Sequence, residues 1–424
     1  MKNPCSNAHD LPVDILRDIF ATFIPTNDTR NRTLKQVMQL QKDSAHILYQ
    51  CSLVNWSWYH ATIPNLYDTL VIVMNQTQDA RIAGLLRHHA LIRRLVVIGS
   101  SDPPKNTEKA FIRFGGYLKL CTGLRSLYLL NIEKSFAQDH PNYDAMIWHL
   151  LSSISSPHLR CMMIRSLNSQ KMREFPISVF LNSLPPFVLQ NLEEFQLRNW
   201  TQDPSVVMKT PPHLPSLKRL VLRQAVFRDN LETWLSALTQ STDLTTPIST
   251  ISELHMHEMK DLCDVDRMAK FLGINNLGAG LTTFYIKGRW NFSYDHKLLP
   301  PQIFNLCPGL QRFFYFAECP LTLLDEIPDN IIDLGLWITD ARPYTRLNYV
   351  ISKGSQIIKW LSDPSKRRNV KRLVIDWESA VGRKWEWESI KTSGPAGMEI
   401  ELNREVRWWP GGGIGGSYNT LRRT

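Results

Sequence analysis

The chain has 424 residues, a length that allows two or three domains, or one small domain followed by a long repeat array. Hydrophobic residues make up 43% and charged residues 21%, as in an ordinary globular protein, and the formal net charge of +10 is too small over this length to predict a nucleic-acid or membrane partner. The sequence has no run of about 18 apolar residues and no apolar core near its start, so it predicts neither a membrane-spanning helix nor a secretory signal.

The seven cysteines are scattered along the chain, and no two of them form a Cys-x-x-Cys pair. An odd number of isolated cysteines is typical of reduced thiols that pack as small hydrophobic side chains. Because thiols stay reduced in the cytosol and the nucleus, we predict a cytoplasmic and/or nuclear protein.

The segment 11–24, LPVDILRDIFATFI, predicts an amphipathic helix near the start of the chain. Its apolar residues recur at steps of three and four and form one stripe: Leu11, Ile15, Leu16, Ile19, Phe20, Phe23 and Ile24. Pro12 suits the first helical position, Asp14 lies at the positive end of the helix dipole, and Pro25 ends the helix. The polar segment that follows, at about 26–45, is predicted to be a long loop with a short helix.

Two ordered pieces of this region resemble the F-box family. The first is Leu-Pro-x-Asp-Ile-Leu-x-x-Ile-Phe at 11–20. The second runs from Cys51-Ser52-Leu53-Val54-Asn55 to Trp58 and ends in Pro64-Asn65-Leu66-Tyr67. Two features depart from the family pattern, since the loop between the pieces is longer than usual and Trp56-Ser57 replaces a basic-polar pair.

The resemblance implies a three-helix F-box at 11–72, preceded by a tail at 1–10, that binds the small adaptor of Skp–cullin–F-box ubiquitin ligases. The adaptor contacts that it implies are Leu11, Pro12, Ile15, Leu16, Ile19, Leu53, Val54 and Trp58. Without the resemblance, the apolar stripe would be interpreted as a first helix packed on its own protein.

The rest of the chain repeats one unit, L-x-x-L-x-L with other apolar residues allowed, ten times at intervals of about 30 residues. The units are Ile92-Leu95-Val97, Leu124-Leu127-Leu129, Leu159-Met162-Ile164, Leu192-Phe195-Leu197, Leu217-Leu220-Leu222, Ile251-Leu254-Met256, Leu281-Phe284-Ile286, Leu310-Phe313-Tyr315, Ile331-Leu334-Leu336 and Val370-Leu373-Ile375. The last two apolar positions of each unit alternate as in a short strand. Helix-like stretches separate the units, at 79–90, 143–154, 229–238, 264–273 and 354–363.

A strand followed by a helix, repeated many times, resembles the leucine-rich repeat. We therefore predict an α + α/β fold, in which the F-box is followed at 76–390 by an irregular leucine-rich-repeat solenoid with a curved parallel sheet. Residues 391–424 are predicted to be a C-terminal cap and a flexible Gly-rich tail. The usual Asn or Cys after the last leucine is absent from every unit, so an ordinary α/β domain remains the alternative.

Residues flanking the inward positions of each strand are predicted to line the outward face of the sheet, where solenoids usually bind. Arginine and aromatic residues anchor many protein interfaces. The candidates for contact with an acidic or mixed protein surface are Arg198, Arg219, Arg223, His255, His257, Tyr285, Arg312, Phe314 and Trp337, with Lys287 and Phe316 on the same face.

Three sequence features suggest binding of a metal, a dinucleotide or a nucleic acid, but each lacks the surrounding sequence that such a site needs. His255 and His257 share one strand face, but no third ligand stands at motif spacing, so no metal is predicted. The Gly-rich stretch 411–416 matches a dinucleotide motif with only eight residues left after it, too few for the required helix. Basic and aromatic residues near the C-terminus, Trp385, Trp387, Trp408 and Trp409 among them, favour an end cap over a nucleic-acid site.

These patterns predict a non-catalytic substrate receptor of a ubiquitin ligase, without a cofactor. Its partners would be a Skp-type adaptor, through it a cullin, and a protein substrate of unknown identity. A membrane is not expected, and a nucleic acid is disfavoured. The main alternative is a repeat scaffold that binds proteins but belongs to no ligase, and a nucleic-acid-binding solenoid is weaker still.

Overall fold

The computed structural model describes residues 11–22, 34–73, 86–99, 107–131, 143–165, 177–198, 212–223, 225, 235–236, 249–257, 265–287, 300–316, 324–338, 353–367, 369–377 and 384–403. The chain forms two compact units, Met1–Leu192 and Glu193–Thr424. The first unit begins with three helices, and both units contain parallel strands with helices between them.

The three N-terminal helices are α1 (Val13–Ala21), α2 (Leu34–Ser52) and α3 (Trp56–Leu66). Helix α1 is shorter than predicted, because the chain turns at Thr22, whose backbone N–H and hydroxyl both bond to the Ile19 carbonyl. Helix α2 begins inside the segment that was expected to be a loop at about 26–45. Nine of its 19 residues are apolar, and packing against α3 stabilises the helix.

Twelve strands occur among the described residues, and every pairing shown joins a strand to the next one along the chain in parallel. The first unit contains β1 (Thr69–Val73), β2 (Arg94–Ile98), β3 (Ser126–Leu130) and β4 (Cys161–Arg165). The second unit contains β5 (Glu194–Arg198), β6 (Arg219–Arg223), β7 (Glu253–His257), β8 (Thr283–Lys287), β9 (Arg312–Phe316), β10 (Asp333–Ile338), β11 (Arg372–Trp377) and β12 (Glu399–Asn403).

All ten predicted repeat units are confirmed as strands, from β2 to β11. In each unit the three apolar positions point into the core, and the side chains at these positions are buried. Two strands were not predicted: β1 lies at the end of the segment assigned to the helical module, and β12 lies in the segment assigned to the C-terminal cap.

Helices connect many of the strands, and three of the five predicted stretches, at 143–154, 264–273 and 354–363, are confirmed as helices. The stretches 79–90 and 229–238 lie largely outside the described residues. The connecting helices are α4 (Thr107–Leu120), α5 (Tyr143–Ser152), α6 (Ile177–Asn182), α7 (Pro186–Asn191), α8 (Val265–Gly273), α9 (Leu277–Gly280), α10 (Pro300–Leu306), α11 (Lys353–Ser362), α12 (Pro364–Arg367) and α13 (Lys384–Ser393).

A side-chain ladder links successive repeats just before their strands. Asn330 stands immediately before the first apolar residue of its unit and donates to the carbonyls of Pro308 and Leu310, at 2.9 and 2.7 Å. Asn369 occupies the same position in the next unit and donates to the Asp329 carbonyl at 2.8 Å. These two repeats therefore satisfy backbone carbonyls of their neighbours at the start of the strand, although they lack the usual Asn or Cys after it.

Replacing Asn330 by alanine is expected to lower the free energy of unfolding by about 1 kcal/mol, because two carbonyls lose their donor. Urea unfolding monitored by circular dichroism measures the change. Glu326→Ala, an exposed change on the same connection, should be neutral. An equal loss in both variants would mean that the ladder contributes nothing specific.

Candidate functional site

Helix α1 has two apolar faces, one buried and one exposed. Leu16 is only 1% exposed and packs with Phe20, Leu48 and Ala61 in the core of the three helices. On the adjoining face Ile15 and Ile19 are 48% and 43% exposed, and Leu11 is exposed in line with them. A helix normally buries its apolar stripe, so the exposed face is available to another surface.

The core of the three helices is held by a few specific contacts. The ring of Trp58 lies 5.3 Å from that of Phe20, centroid to centroid, which joins α3 to α1. The Asn65 side-chain amide donates to the Arg17 carbonyl at 3.2 Å and links the same two helices. These contacts fix the buried face of α1 and thereby direct its other apolar face outward.

A second set of exposed apolar side chains surrounds the turn between α2 and α3. The Asn55 side chain accepts a hydrogen bond from the Trp58 backbone N–H at 2.9 Å and caps α3. Leu53, Val54 and Trp56 flank this cap and are all exposed. Trp56 was noted in the sequence only as a departure from the family pattern. Its ring is partly supported by His60, on which it stacks.

The eight predicted adaptor-binding residues fall into two groups. Leu11, Pro12, Ile15, Ile19, Leu53 and Val54 are exposed. Leu16 and Trp58 contribute to the core of the three helices, with Leu16 buried and Trp58 half-buried. Core residues of this kind position a docking surface but cannot provide most of its contact area.

In the second unit, the outward face of β5 to β9 is organised in three rows across the strands. The register aligns Glu194, Arg219, Glu253, Thr283 and Arg312 in an amino-end row. The middle row is Gln196, Val221, His255, Tyr285 and Phe314. The carboxyl-end row is Arg198, Arg223, His257, Lys287 and Phe316.

The amino-end row is a network of paired charges. Arg219 is buried and lies 3.2 Å from the Glu194 carboxylate and 3.0 Å from that of Glu253. Glu253 also accepts from the His255 ring at 2.6 Å. Because carboxylates neutralise its charge on both sides, Arg219 is poorly placed to bind a partner. Farther along the row, Arg312 remains exposed beside Asp333, at 3.5 Å.

Aromatic rings cover the middle of this face from β7 to β9. The Tyr285 ring stacks on those of His255 and His257, with centroids 5.2 and 4.6 Å apart. Phe314 lies 5.8 Å from Tyr285 on the other side. A side chain at Gly335, the neighbouring position on β10, would come within 2.5 Å of the Phe314 ring, so glycine leaves the space that this ring occupies.

The carboxyl-end row is basic. Arg223 is exposed, Lys287 is buried with its ammonium group 5.9 Å from the centroid of the Phe316 ring, and His257 is half-buried between them. Burial lowers the pKa of His257 well below its ordinary value, and the positive charges of Arg223 and Lys287 lower it further. The imidazole is therefore neutral at pH 7.

The structure separates the nine predicted sheet-face residues by environment. Arg198, Arg223 and His257 lie in the carboxyl-end row, Tyr285 and Phe314 lie among the rings of the middle row, and Arg219, His255 and Arg312 belong to the paired amino-end network or its edge. Trp337 lies on β10 opposite Asp376, but its side chain is outside the described part of the chain. Glu253 and Gly335 were missed, since their roles depend on neighbours in adjacent strands.

Groups suited to covalent or metal chemistry are inert or dispersed within the described ranges. Burial raises the pKa of Cys121 and of Cys307 to about 12, so both remain protonated thiols near neutral pH. No three His, Cys, Asp or Glu side chains among the described residues are grouped so that they could hold a metal ion. None of the helices in these ranges combines the length and apolar character needed to cross a bilayer. The Gly-rich stretch 411–416, Trp408 and Trp409 lie outside the described residues.

No protein-family model and no curated protein matches the chain. A solved structure that it resembles is a protein from Bacteroides fragilis, with 9% sequence identity, 86% of this chain and 83% of that chain covered, and a TM-score of 0.28. Similarity at this level carries no conclusion about function. The class of protein follows instead from the strand order: within each unit, parallel strands pair with their neighbours in sequence and helices separate many of them, which is consistent with a repeat solenoid of α/β type.

Proposed function

We propose that this chain is the substrate-recognition subunit of a Skp–cullin–F-box ubiquitin ligase. Helices α1 to α3 dock the adaptor, and the outward sheet face of the second unit binds a protein substrate. The chain itself performs no chemistry in this proposal. It raises the effective concentration of the substrate at the conjugating enzyme, and proximity of this kind accelerates a bimolecular transfer.

The exposed apolar face of α1 carries the proposal. Leu11, Ile15 and Ile19 leave in water apolar area that would stabilise a complex by about 25 cal/mol for each Å² removed from solvent. The same residues belong to the sequence piece that resembles the F-box. The three-helix core beneath them is small, which fits a module that gains stability from a bound partner.

The position of two core residues favours a second candidate, a repeat scaffold outside any ligase. Leu16 and Trp58 are among the eight residues that the resemblance assigns to the adaptor, yet both help to form the core of the three helices. In this alternative the exposed face of α1 has no adaptor. The two candidates differ in whether the chain forms a stable complex with a Skp-type adaptor.

Co-purification of the full chain with a Skp-type adaptor tests the proposal. We expect the wild type to form a stoichiometric complex, and Ile15→Asp with Ile19→Asp to weaken it at least 100-fold, because two carboxylates would be desolvated in an apolar interface. Arg17→Glu is the matched control, since it makes the same net change in charge on the polar side of α1. It should leave the affinity within threefold.

Folding must be intact for the comparison to count, so circular dichroism of each variant accompanies the binding measurement. Failure of the wild type to bind the adaptor would overturn the proposal and leave the scaffold candidate. An equal loss of binding in Arg17→Glu would also count against it, because the effect would then come from charge and not from the apolar face.

A further inference from the structure

The last strand of the second unit pairs on one side only. β12 pairs with β11, and no other strand among the described residues lies beside it. The Glu399 backbone N–H donates to the Lys371 carbonyl at 2.9 Å, so the backbone of Glu399 faces β11. Backbone groups of successive residues point to opposite sides of a parallel strand, so those of Ile400 and Leu402 point away from β11. We call this side of β12 the open edge.

Such an edge is a template for another strand, because its N–H and C=O groups repeat at the spacing that a neighbouring strand needs. Strand addition of this kind is a common mode of peptide recognition, in which main-chain hydrogen bonds supply affinity and alternate side chains supply specificity. The side chains of β12 and β11 therefore determine which segment would fit at the open edge.

Charges alternate in sign across the amino-end row as it continues from β9 to β12. The register aligns Arg312, Asp333, Arg372 and Glu399 on the four successive strands. Asp333 lies 3.5 Å from Arg312, and Glu399 lies 3.8 Å from Arg372. Opposite charges on neighbouring strands stabilise a sheet, whereas like charges destabilise it. The series ends on a carboxylate, so a cation is the charge that a further strand would carry in this row.

Glu399 retains most of its surface for such a cation. Arg372 donates to the Glu401 carboxylate at 2.7 Å and makes only the longer ion pair with Glu399. The side chain of Glu399 is 69% exposed, whereas that of Asp333, which has an arginine opposite it on each neighbouring strand, is 18% exposed. The carboxylate at the end of the series is therefore the least engaged of the two.

The core side of β12 is incompletely covered at the open edge. Ile400 is paired in the register with Leu373 on β11, which is fully buried, but Ile400 itself is only half-buried. On its covered side Ile400 lies close to Gly394, where an added Cβ would come within 2.5 Å of its Cδ1 atom. An apolar side chain on a further strand would cover the remaining surface of Ile400, as Leu373 is covered by its two neighbouring strands.

We propose that the open edge of β12 binds an extended segment of a partner protein by strand addition. The segment has lysine or arginine opposite Glu399 and Glu401 and an apolar residue between them, opposite Ile400. The inference goes beyond the proposed function, since neither the adaptor nor α1 takes part in this contact.

Fluorescence anisotropy with the full chain tests the inference directly. The probe is a labelled synthetic peptide in which three arginines alternate with two valines, within a Gly-Ser background. We expect saturable binding that weakens at least tenfold in Glu399→Lys, because this variant places like charges opposite one another. Glu326→Lys is the matched control, since it makes the same change in charge at another exposed position of the second unit. It should change the affinity less than threefold.

A second pair of variants tests the backbone contact. Ile400→Pro removes the side chain and the N–H at the open edge, whereas Ile400→Ala removes the side chain and keeps the N–H. Proline is tolerated on an edge strand where its nitrogen faces outward. We expect the proline variant to bind the peptide at least tenfold more weakly than the alanine variant, with a Tm within a few degrees of it.

Methylated peptides provide the same test with the wild-type chain, so the result does not depend on whether Ile400→Pro folds. One peptide is N-methylated on its arginine amides and another on its valine amides. Only one of these sets can face β12, so one peptide should bind at least tenfold more weakly than the other. Equal affinities for both would overturn strand addition.

Absence of saturable binding, or equal weakening by Glu399→Lys and Glu326→Lys, would overturn the site. Equal binding of a peptide with its three arginines adjacent would also overturn it, because attraction between net charges would then explain the affinity. Self-association of the chain that Glu399→Lys abolishes, without peptide binding, would assign the edge to a second copy. A chain that binds the peptide but no adaptor refutes only the ligase assignment, and the reverse result refutes only this site.

Discussion

A Phe313→Ala variant is expected to lose about 3–5 kcal/mol of its free energy of unfolding, because the substitution leaves a cavity in the core of the second unit. Phe313 is 0% exposed, and its ring lies 5.0 Å from that of Phe304 and 6.3 Å from that of Phe284, measured between centroids. Phe304 is held by α10 and Phe284 by the adjacent strand β8, so these rings cannot fill the space without distorting the register. Equilibrium urea unfolding monitored by circular dichroism measures the loss.

Phe314→Ala provides a control with the same chemical change on the same strand. Phe314 points to the outward face and is only half-buried, so its removal should cost no more than about half as much. Equal losses for the two variants would contradict the assignment of inward and outward faces on β9. The comparison therefore tests the register as well as the packing.

A Leu16→Asp variant is expected to unfold the three N-terminal helices, since it places a carboxylate among Phe20, Leu48 and Ala61 with no cation beside it in the core. Burying an unpaired charge belongs to the few mechanisms that cost more than about 4 kcal/mol. A core of this size cannot absorb such a loss. Rapid proteolysis within residues 11–66, together with a loss of helical circular dichroism, would be the observed result.

Ile15→Asp introduces the same side chain one residue earlier, at a position that is 48% exposed. It should cost only about 0.5 kcal/mol, mainly through the lower helix propensity of aspartate. Proteolytic sensitivity equal to that of Leu16→Asp would mean that the exposed face of α1 is part of the folded core. Resistance equal to the wild type would establish that loss of adaptor binding in an Ile15 variant reflects docking.

The strands of the repeats could be predicted because their signal is local and periodic. Each unit carries an apolar residue, then two more in alternation, and the period of two fixes which side chains face the core. Strand β12 escaped prediction because Glu399–Asn403 contributes only two apolar residues and lacks the leading one. Its pairing with β11, which the sequence does not encode locally, stabilises the strand.

The segment predicted as a loop with a short helix at about 26–45 shows where prediction from local sequence fails. The sequence predicted only a short helix within this loop, whereas Leu34–Ser52 is helical throughout, and its stability depends on the contacts that α2 makes with α3. A pattern confined to one segment cannot report the energy that a neighbouring element supplies. The same reason explains why Leu16 and Ile15 were assigned equally to docking, since a helical stripe does not reveal which of its edges another helix covers.

The sequence by itself determined the parallel repeat architecture, the inward residues of its strands and the set of residues on the outward face, because all three depend on spacing along the chain. Tertiary structure alone decided which of those outward residues lie next to a residue of opposite charge. Arg219 and Arg223 differ by four positions on one strand, yet one lies between two carboxylates and the other beside two basic residues. That difference arises from the register between strands distant in sequence, and Coulomb energies depend on distance in space.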